Sequence, residues 1–190
     1  FNAVAHIDET LRSVVMQDHR DIEHIVIDGG SADGTQAKIE RYREVLAHVV
    51  SEPDAGVYDA MNKGLRLATG EVIAFVNAGD MIARRDVVSS MVKEFAKGDA
   101  DVIYGDALMV DPTDITNVKR FWKGGEYHRN NFKKGWMPPH LATYIRRSAY
   151  DRYGHFRDDL KVSADYELMF RFLYKQRLPA RYVPKVLVRF

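Results

Sequence analysis

Short apolar runs of β type alternate with stretches of helical period along the first 110 residues. That alternation limits the chain to a layered α/β architecture. Ile7, Leu11, Val14 and Val15 recur at helical spacing, so residues 7–17 read as a helix with Asp8 and Glu9 in its first turn. Residues 22–28 hold a short buried strand, Ile25-Val26-Ile27. Ser31-Ala32-Asp33-Gly34-Thr35 then opens a second helix, capped by Ser31 or Asp33. Strands are predicted at 49–51, 72–76 and 101–104, with a fifth beginning over 107–110. Helices are predicted over 56–68, ending at Gly70, and over 87–96, stopped near Gly98. A loop-like region, 111–139, rich in Asp, Asn, Gly, Lys and aromatic residues, separates this N-terminal half from a shorter part. In that part 142–145 and 182–190 read as strands, 148–153 as a short helix and 164–174 as an amphipathic helix. Strands linked by helices predict a three-layer sandwich around a mostly parallel sheet.

The chain of 190 residues is long enough for one domain with a real core. It contains no Cys, so disulfides and thiol chemistry are excluded. A net charge of +1 gives no electrostatic case for nucleic acid. No apolar run approaches the ~20 residues that span a bilayer, and no signal-peptide pattern is visible, so a cytoplasmic protein is expected. A G-x-G-x-x-G after a strand is missing, as is a P-loop, which argues against dinucleotide and P-loop NTPase folds.

The chemistry concentrates where strands end. The run Val72-Ile73-Ala74-Phe75-Val76 stops at Asn77-Ala78-Gly79-Asp80, a small polar turn with one carboxylate at a sheet edge. A single Asp there can hold a divalent cation that also holds a diphosphate; the plainer reading is an ordinary turn Asp. Asp28 ends a strand and can accept a hydrogen bond from a ligand, or simply cap its turn. Glu52-Pro53-Asp54-Ala55-Gly56-Val57-Tyr58-Asp59-Ala60-Met61-Asn62-Lys63 mixes carboxylates, an amide and a cation on a loop and helix start. Lys63 can balance diphosphate charge and Asn62 can bond it, while Asp59 and Lys63 can equally form an i,i+4 ion pair. Asp165 opens the last helix, where the helix dipole alone would favour it. Asp106, after Tyr104-Gly105, is a candidate acceptor contact or a turn Asp. Lys119-Arg120-Phe121-Trp122-Lys123 and His128-Arg129-Asn130-Asn131-Phe132-Lys133-Lys134 interleave basic and aromatic groups, as an acceptor lid or an anionic-membrane contact would; most such runs are solvated surface.

Four segments together, Ile25–Thr35, Ser51–Gly64, Asn77–Asp80 and Ser163–Leu168, resemble the family 2 glycosyltransferases, inverting enzymes of the Rossmann-like GT-A fold. The resemblance covers essentially the whole chain. It implies one GT-A domain over 1–190: a nucleotide-sugar-binding half at 1–110, a loop region at 111–139 and an acceptor and base half at 140–190. It implies a bacterial enzyme that moves a sugar from a nucleoside-diphosphate donor to a glycan or lipid-linked acceptor in polysaccharide synthesis, working at the inner face of the membrane. Asp28, Asp54, Asp59, Asn62, Lys63 and Asn77 become donor contacts. Asp80 becomes the ligand of Mg²⁺ or Mn²⁺, joined by His140 after Pro138-Pro139; the plainer reading of His140 is a histidine bonded within a loop. Asp165 becomes the general base.

The chain departs from the family pattern at three points. Gly29 stands where a second acid is usual, and Asn77 and Gly79 replace acids of the metal motif. Phe1-Asn2 resembles the pair that follows the family's first strand, so that strand is expected to be missing and both ends trimmed. Two other readings stay open. A sugar-nucleotide nucleotidyltransferase would need a Gly-rich, basic phosphate loop, and none is visible. A non-catalytic nucleotide-sugar-binding module is suggested by the reduced acidic turn.

Overall fold

The structure, a computed structural model, describes residues 1–190. Its elements follow the predicted alternation: α1 (Ile7–Val15), β1 (Ile25–Asp28), α2 (Thr35–Glu40), β2 (His48–Ser51), α3 (Val57–Leu67), β3 (Val72–Ala74), β4 (Met81–Ile82), α4 (Val87–Phe95) and β5 (Val102–Asp111). There follow β6 (Asp114–Trp122), β7 (Thr143–Arg146), α5 (Arg147–Tyr153), α6 (Ala164–Met169) and β8 (Ala180–Arg189). The helix predicted over 164–174 is α-helical to Met169 and continues as a π-helical turn, Phe170–Lys175.

β1 and β2 pair in parallel. The larger sheet runs β3-β7-β5-β8-β4, with β6 on the far half of β5. β7 is antiparallel to both β3 and β5, and β8 is parallel to β5. β3, β5 and β8 therefore share a direction, and β4, β6 and β7 run the other way. Parallel pairing occurs at β1–β2 and β5–β8, while β7, β6 and β4 each pair antiparallel with their neighbours.

The period-2 alternation of β5 and β7 builds the three layers. Val102 and Ile145 face a core made by α3, α5, α6 and the π-helical turn, where Leu168, Met169, Phe172 and Leu173 have no exposure. Ile103 and Tyr144 face the other way, onto Val87, Met91 and Phe95 of α4. A smaller cluster joins Ile7 and Leu11 to Val26, Ile39 and Leu46. No pairing joins β1 to β3. A cleft of about 1620 Å³, lined by Ile25, Ile27, Leu65, Ile73 and Phe75 among others, lies between them. The β1–β2 pair and the larger sheet are thus separate in pairing.

Two expectations need correction. The segments predicted at 101–104 and 107–110 form the single strand β5. Region 111–139 is not all loop, because β6 pairs antiparallel with β5 across Ala107–Asp111. All but the last residue of β6 are exposed, so no buried face imposes the alternation that marks a strand.

β5 and β8 lose register between Tyr104 and Asp106, beside Pro184, whose missing N–H suits an irregular pairing. Gly105 sits there: a Cβ on it would stand 2.6 Å from both the Lys185 carbonyl oxygen and Leu187 Cγ. Gly105→Ala is expected to destabilise the fold by about 2 kcal/mol or more, since backbone cannot yield as a side-chain tip does. Urea unfolding of the two proteins measures this; equal midpoints would show that β8 shifts freely. No helix is long and apolar enough to cross a membrane.

Candidate active site

The turn after β3 is tightly held. The Asp80 amide donates to the Asn77 carbonyl at 2.9 Å, and the Asn77 amide donates to Asp80 Oδ2 at 3.3 Å. Gly79 adopts φ +107°, which favours glycine. Its amide donates to Thr10 Oγ1 at 2.9 Å, and the Ile82 amide donates to Ser13 Oγ at 3.1 Å. Two hydroxyls of α1 therefore fix the turn. Sequence reasoning missed them, because Thr and Ser on a helix carry no signal of a distant partner. Asp80 is only 8% exposed, and burial pushes its carboxyl up to about 6 against the hydrogen bonds from Asn77. No group of three or more His, Asp or Glu side chains is arranged to hold a metal ion. A cation held through Asp80 would need phosphate oxygens and water as its other ligands, because the protein alone supplies no complete set.

On α3, Asp59 Oδ2 accepts the Ala55 amide at 3.0 Å and lies 3.6 Å from Lys63 Nζ. Lys63 also meets Glu52 Oε1 at 2.9 Å and donates to the Pro53 carbonyl at 2.9 Å. The ammonium is thus turned back onto its own loop, and the ion pair foreseen as the plainer reading is present. Asp54 Oδ1 accepts the Gly56 amide, while Asp54 Oδ2 stands 2.5 Å from where a Gly29 Cβ would be. The space of the family's second acid is thereby occupied by the Asp54 carboxylate. Asn77, Gly29 and Asp54 all line the cleft between the sheets.

Three expected ligand contacts are committed internally. Asp28 is 3% exposed; it accepts Ser31 Oγ and the Ser31 amide, and Ser51 Oγ at 2.6 Å. Burial raises its pKa, but these bonds outweigh burial and hold it below the ordinary carboxylate value. It closes the β1 turn inward, with both carboxylate oxygens bonded to Ser31 and Ser51. Asp106 lies inside β5 rather than in a turn, and its Oδ1 accepts the Gly124 amide and the Tyr182 hydroxyl, each at 2.8 Å. Through Oδ1 it ties β5 to β8 and to the backbone after β6. Asn62 donates through Nδ2 to the Phe156 carbonyl at 2.9 Å and accepts the Phe156 amide at 3.0 Å. Its amide clamps backbone and does not reach toward a diphosphate.

Asp165 lies in the first turn of α6, and its Oδ1 accepts the Tyr58 hydroxyl at 3.1 Å. Tyr58 stacks on Phe156, with ring centroids 5.8 Å apart. Phe156 meets Phe75 edge-on at 5.4 Å and His140 at 5.6 Å. Phe75 is stacked on His140 at 6.1 Å. Burial pushes His140 below its ordinary pKa, while the nearby Asp165 charge acts the other way. Phe75 leads directly into the Asn77–Asp80 turn, so one aromatic cluster joins that turn to Asp165. Tyr58 was also overlooked, since its partner lies 107 residues away.

The basic runs divide. Arg129 donates to the Tyr174 carbonyl and lies over the Tyr174 ring, and Phe132 is buried. The second run thus anchors through Phe132 and Arg129, while its basic side chains His128, Arg129, Lys133 and Lys134 stay exposed. β6 presents Lys119, Arg120 and Phe121 outward, with Val118 and Phe121 about half exposed.

Comparison with known proteins places this geometry. The glycosyl transferase family 2 model matches residues 1–154. An uncharacterised glycosyltransferase of Mycobacterium tuberculosis is 32% identical over 174 residues, which are 90% of this chain and 65% of that relative's length. TarS of S. aureus, crystallised with UDP-GlcNAc, superposes with a TM-score of 0.78 at 19% identity, covering all of this chain and 56% of that one. The mannosyltransferase PcManGT of Pyrobaculum calidifontis, solved with GDP-Man and Mn²⁺, gives 0.72 at 26% identity over 99% of this chain and 53% of that one. The chain therefore spans less than two thirds of that relative, and its fold is GT-A. On this match it belongs to glycosyl transferase family 2.

Proposed function

We propose that this domain transfers a sugar from a nucleoside-diphosphate donor to a hydroxyl of a glycan or lipid-linked acceptor, with inversion at the anomeric carbon. The observation that carries this is the link between the Asp80 turn and Asp165 through Phe75, His140, Phe156 and Tyr58. Inversion needs a charge-stabilised leaving group on one face of the sugar and a proton acceptor on the other. Asp54, Asp59 and Asn77 border the donor side. Mg²⁺ or Mn²⁺ held by Asp80 would neutralise charge on the departing diphosphate, while His140 is packed between Phe75 and Phe156 on the side of Asp165. Asp165 takes the proton of the attacking hydroxyl on its free oxygen. The nucleotide-sugar class is supported by the complexes of the TarS and PcManGT neighbours.

A thermal-shift panel of UDP-GlcNAc, GDP-Man, UDP and GDP, each with Mn²⁺ and with EDTA, tests the reading. A donor that binds the folded form raises the midpoint, and here the rise should need Mn²⁺. If no nucleotide shifts the midpoint in either condition, the reading fails. We further propose that β6 rests on anionic lipid, with Val118 and Phe121 beside Lys119, Arg120 and Lys123. Vesicles with anionic lipid should bind the protein more tightly than neutral ones; equal binding removes this contact.

A further inference from the structure

We propose that Tyr58 is a positioning residue for Asp165, and that α3 serves as the bracket that sets the base against the donor site. This rests on the assignment of Asp165 as base. Residues 58–63 carry two interleaved i,i+4 pairs. Asp59 and Lys63 form the pair on the donor side. Tyr58 and Asn62, also four apart, both reach Phe156 in the opposite half of the site. Asn62 fixes Phe156 through both its amide and its carbonyl. Phe156 in turn stacks against Tyr58, and the Tyr58 hydroxyl reaches Asp165 Oδ1 at 3.1 Å. The segment before Phe156 is tied to the π-helical turn as well, because Arg171 donates to the carbonyls of Tyr153, Gly154 and His155 while pairing with Glu167.

The consequence is a fixed Asp165 side chain. One oxygen is occupied by the phenol, and the other remains to receive the acceptor's proton. An Asp at the start of a helix otherwise samples several rotamers, each aiming the carboxylate elsewhere. Holding one rotamer is worth most in the step where the proton moves and little in binding the donor. Tyr58 keeps its own proton throughout: burial and the adjacent Asp165 charge both raise its pKa. Glu167, the other acid of α6, is occupied by Arg171 and does not compete for the phenol.

The test compares wild type, Tyr58→Phe, Asp165→Asn and the double variant. Tyr58→Phe keeps the ring on Phe156 and removes only the hydroxyl. The probe is steady-state release of UDP from UDP-GlcNAc or of GDP from GDP-Man, whichever donor raises the melting midpoint. Tyr58→Phe is expected to lower kcat about tenfold, with donor KM, nucleotide Kd and melting midpoint nearly unchanged. In the Asp165→Asn background it should lower the residual rate no further, because its effect runs through that carboxylate. Three results would overturn the proposal: kcat within twofold of wild type, an equal loss in both backgrounds, or a loss matched by weaker nucleotide binding and a lower midpoint. Full activity in Asp165→Asn alone would remove the base assignment itself. That outcome is distinct from those three, since it needs no change at Tyr58.

Discussion

Asp165→Asn is expected to lower sugar transfer by about 10³-fold, the scale of a positioned general base, and to leave nucleotide affinity within twofold. The substitution preserves shape. The amide oxygen that replaces Oδ1 still accepts the Tyr58 hydroxyl, so α6 keeps its anchor to α3. What disappears is the lone charge able to take a proton from an alcohol as the sugar bond breaks. Removing an acid from the first turn of a helix costs about 0.5 kcal/mol of dipole interaction, too little to unfold a domain of this size. A loss of activity with an unchanged melting midpoint therefore reads chemistry and not folding. The measurements are nucleoside-diphosphate release at saturating donor and calorimetric binding of UDP or GDP. Transfer within fivefold of wild type would require another proton acceptor. Lost nucleotide binding would place Asp165 on the donor side.

Much of the fold was legible because most elements carry a one-sided burial pattern. Ile7, Leu11 and Val14 of α1 are all buried, and their spacing announces it. β6 announces nothing, since it pairs with an edge and buries neither face. β4, two residues long, is too short for any period. The site was legible to a different depth. Sequence identifies which residues carry polar groups at strand ends, but not where those groups point. Asp28, Asn62 and Asp106 are of the right type in the right segments, yet each is spent on an internal partner. For Asn62 that partner lies 94 residues on, a separation no local rule reaches. Asp80 and Asp165 differ in how many internal donors they meet: each accepts one side-chain-directed hydrogen bond, where Asp28 accepts three and Asp106 two.

Asp80→Asn is expected to do two opposite things. Donor turnover should fall by about 10²- to 10³-fold, the several kcal/mol that charge neutralisation at a leaving diphosphate contributes. The metal-free protein should meanwhile become more stable at pH 8. Burial raises the Asp80 pKa from 3.8 to about 6, so the fold disfavours the ionised form. A carboxyl with a raised folded pKa favours the native state below its unfolded pKa, and that contribution is lost as pH rises through the folded one. At pH 8 the charge is present and its burial is uncompensated, and the amide relieves a cost on the order of 1–2 kcal/mol after screening by water. Near pH 4 the wild-type carboxyl is largely protonated when folded, and the advantage of the amide vanishes. Urea midpoints of the two proteins in EDTA, at pH 8 and pH 4.5, measure the difference, which should shrink at the lower pH. An equal difference at both pH values would mean that Asp80 is not held against its charge. The charge would then not be kept in reserve for a cation, and the turn would be structural only. A gain confined to high pH, together with lost turnover, is what a residue retained for ligand binding at the expense of the empty fold should show.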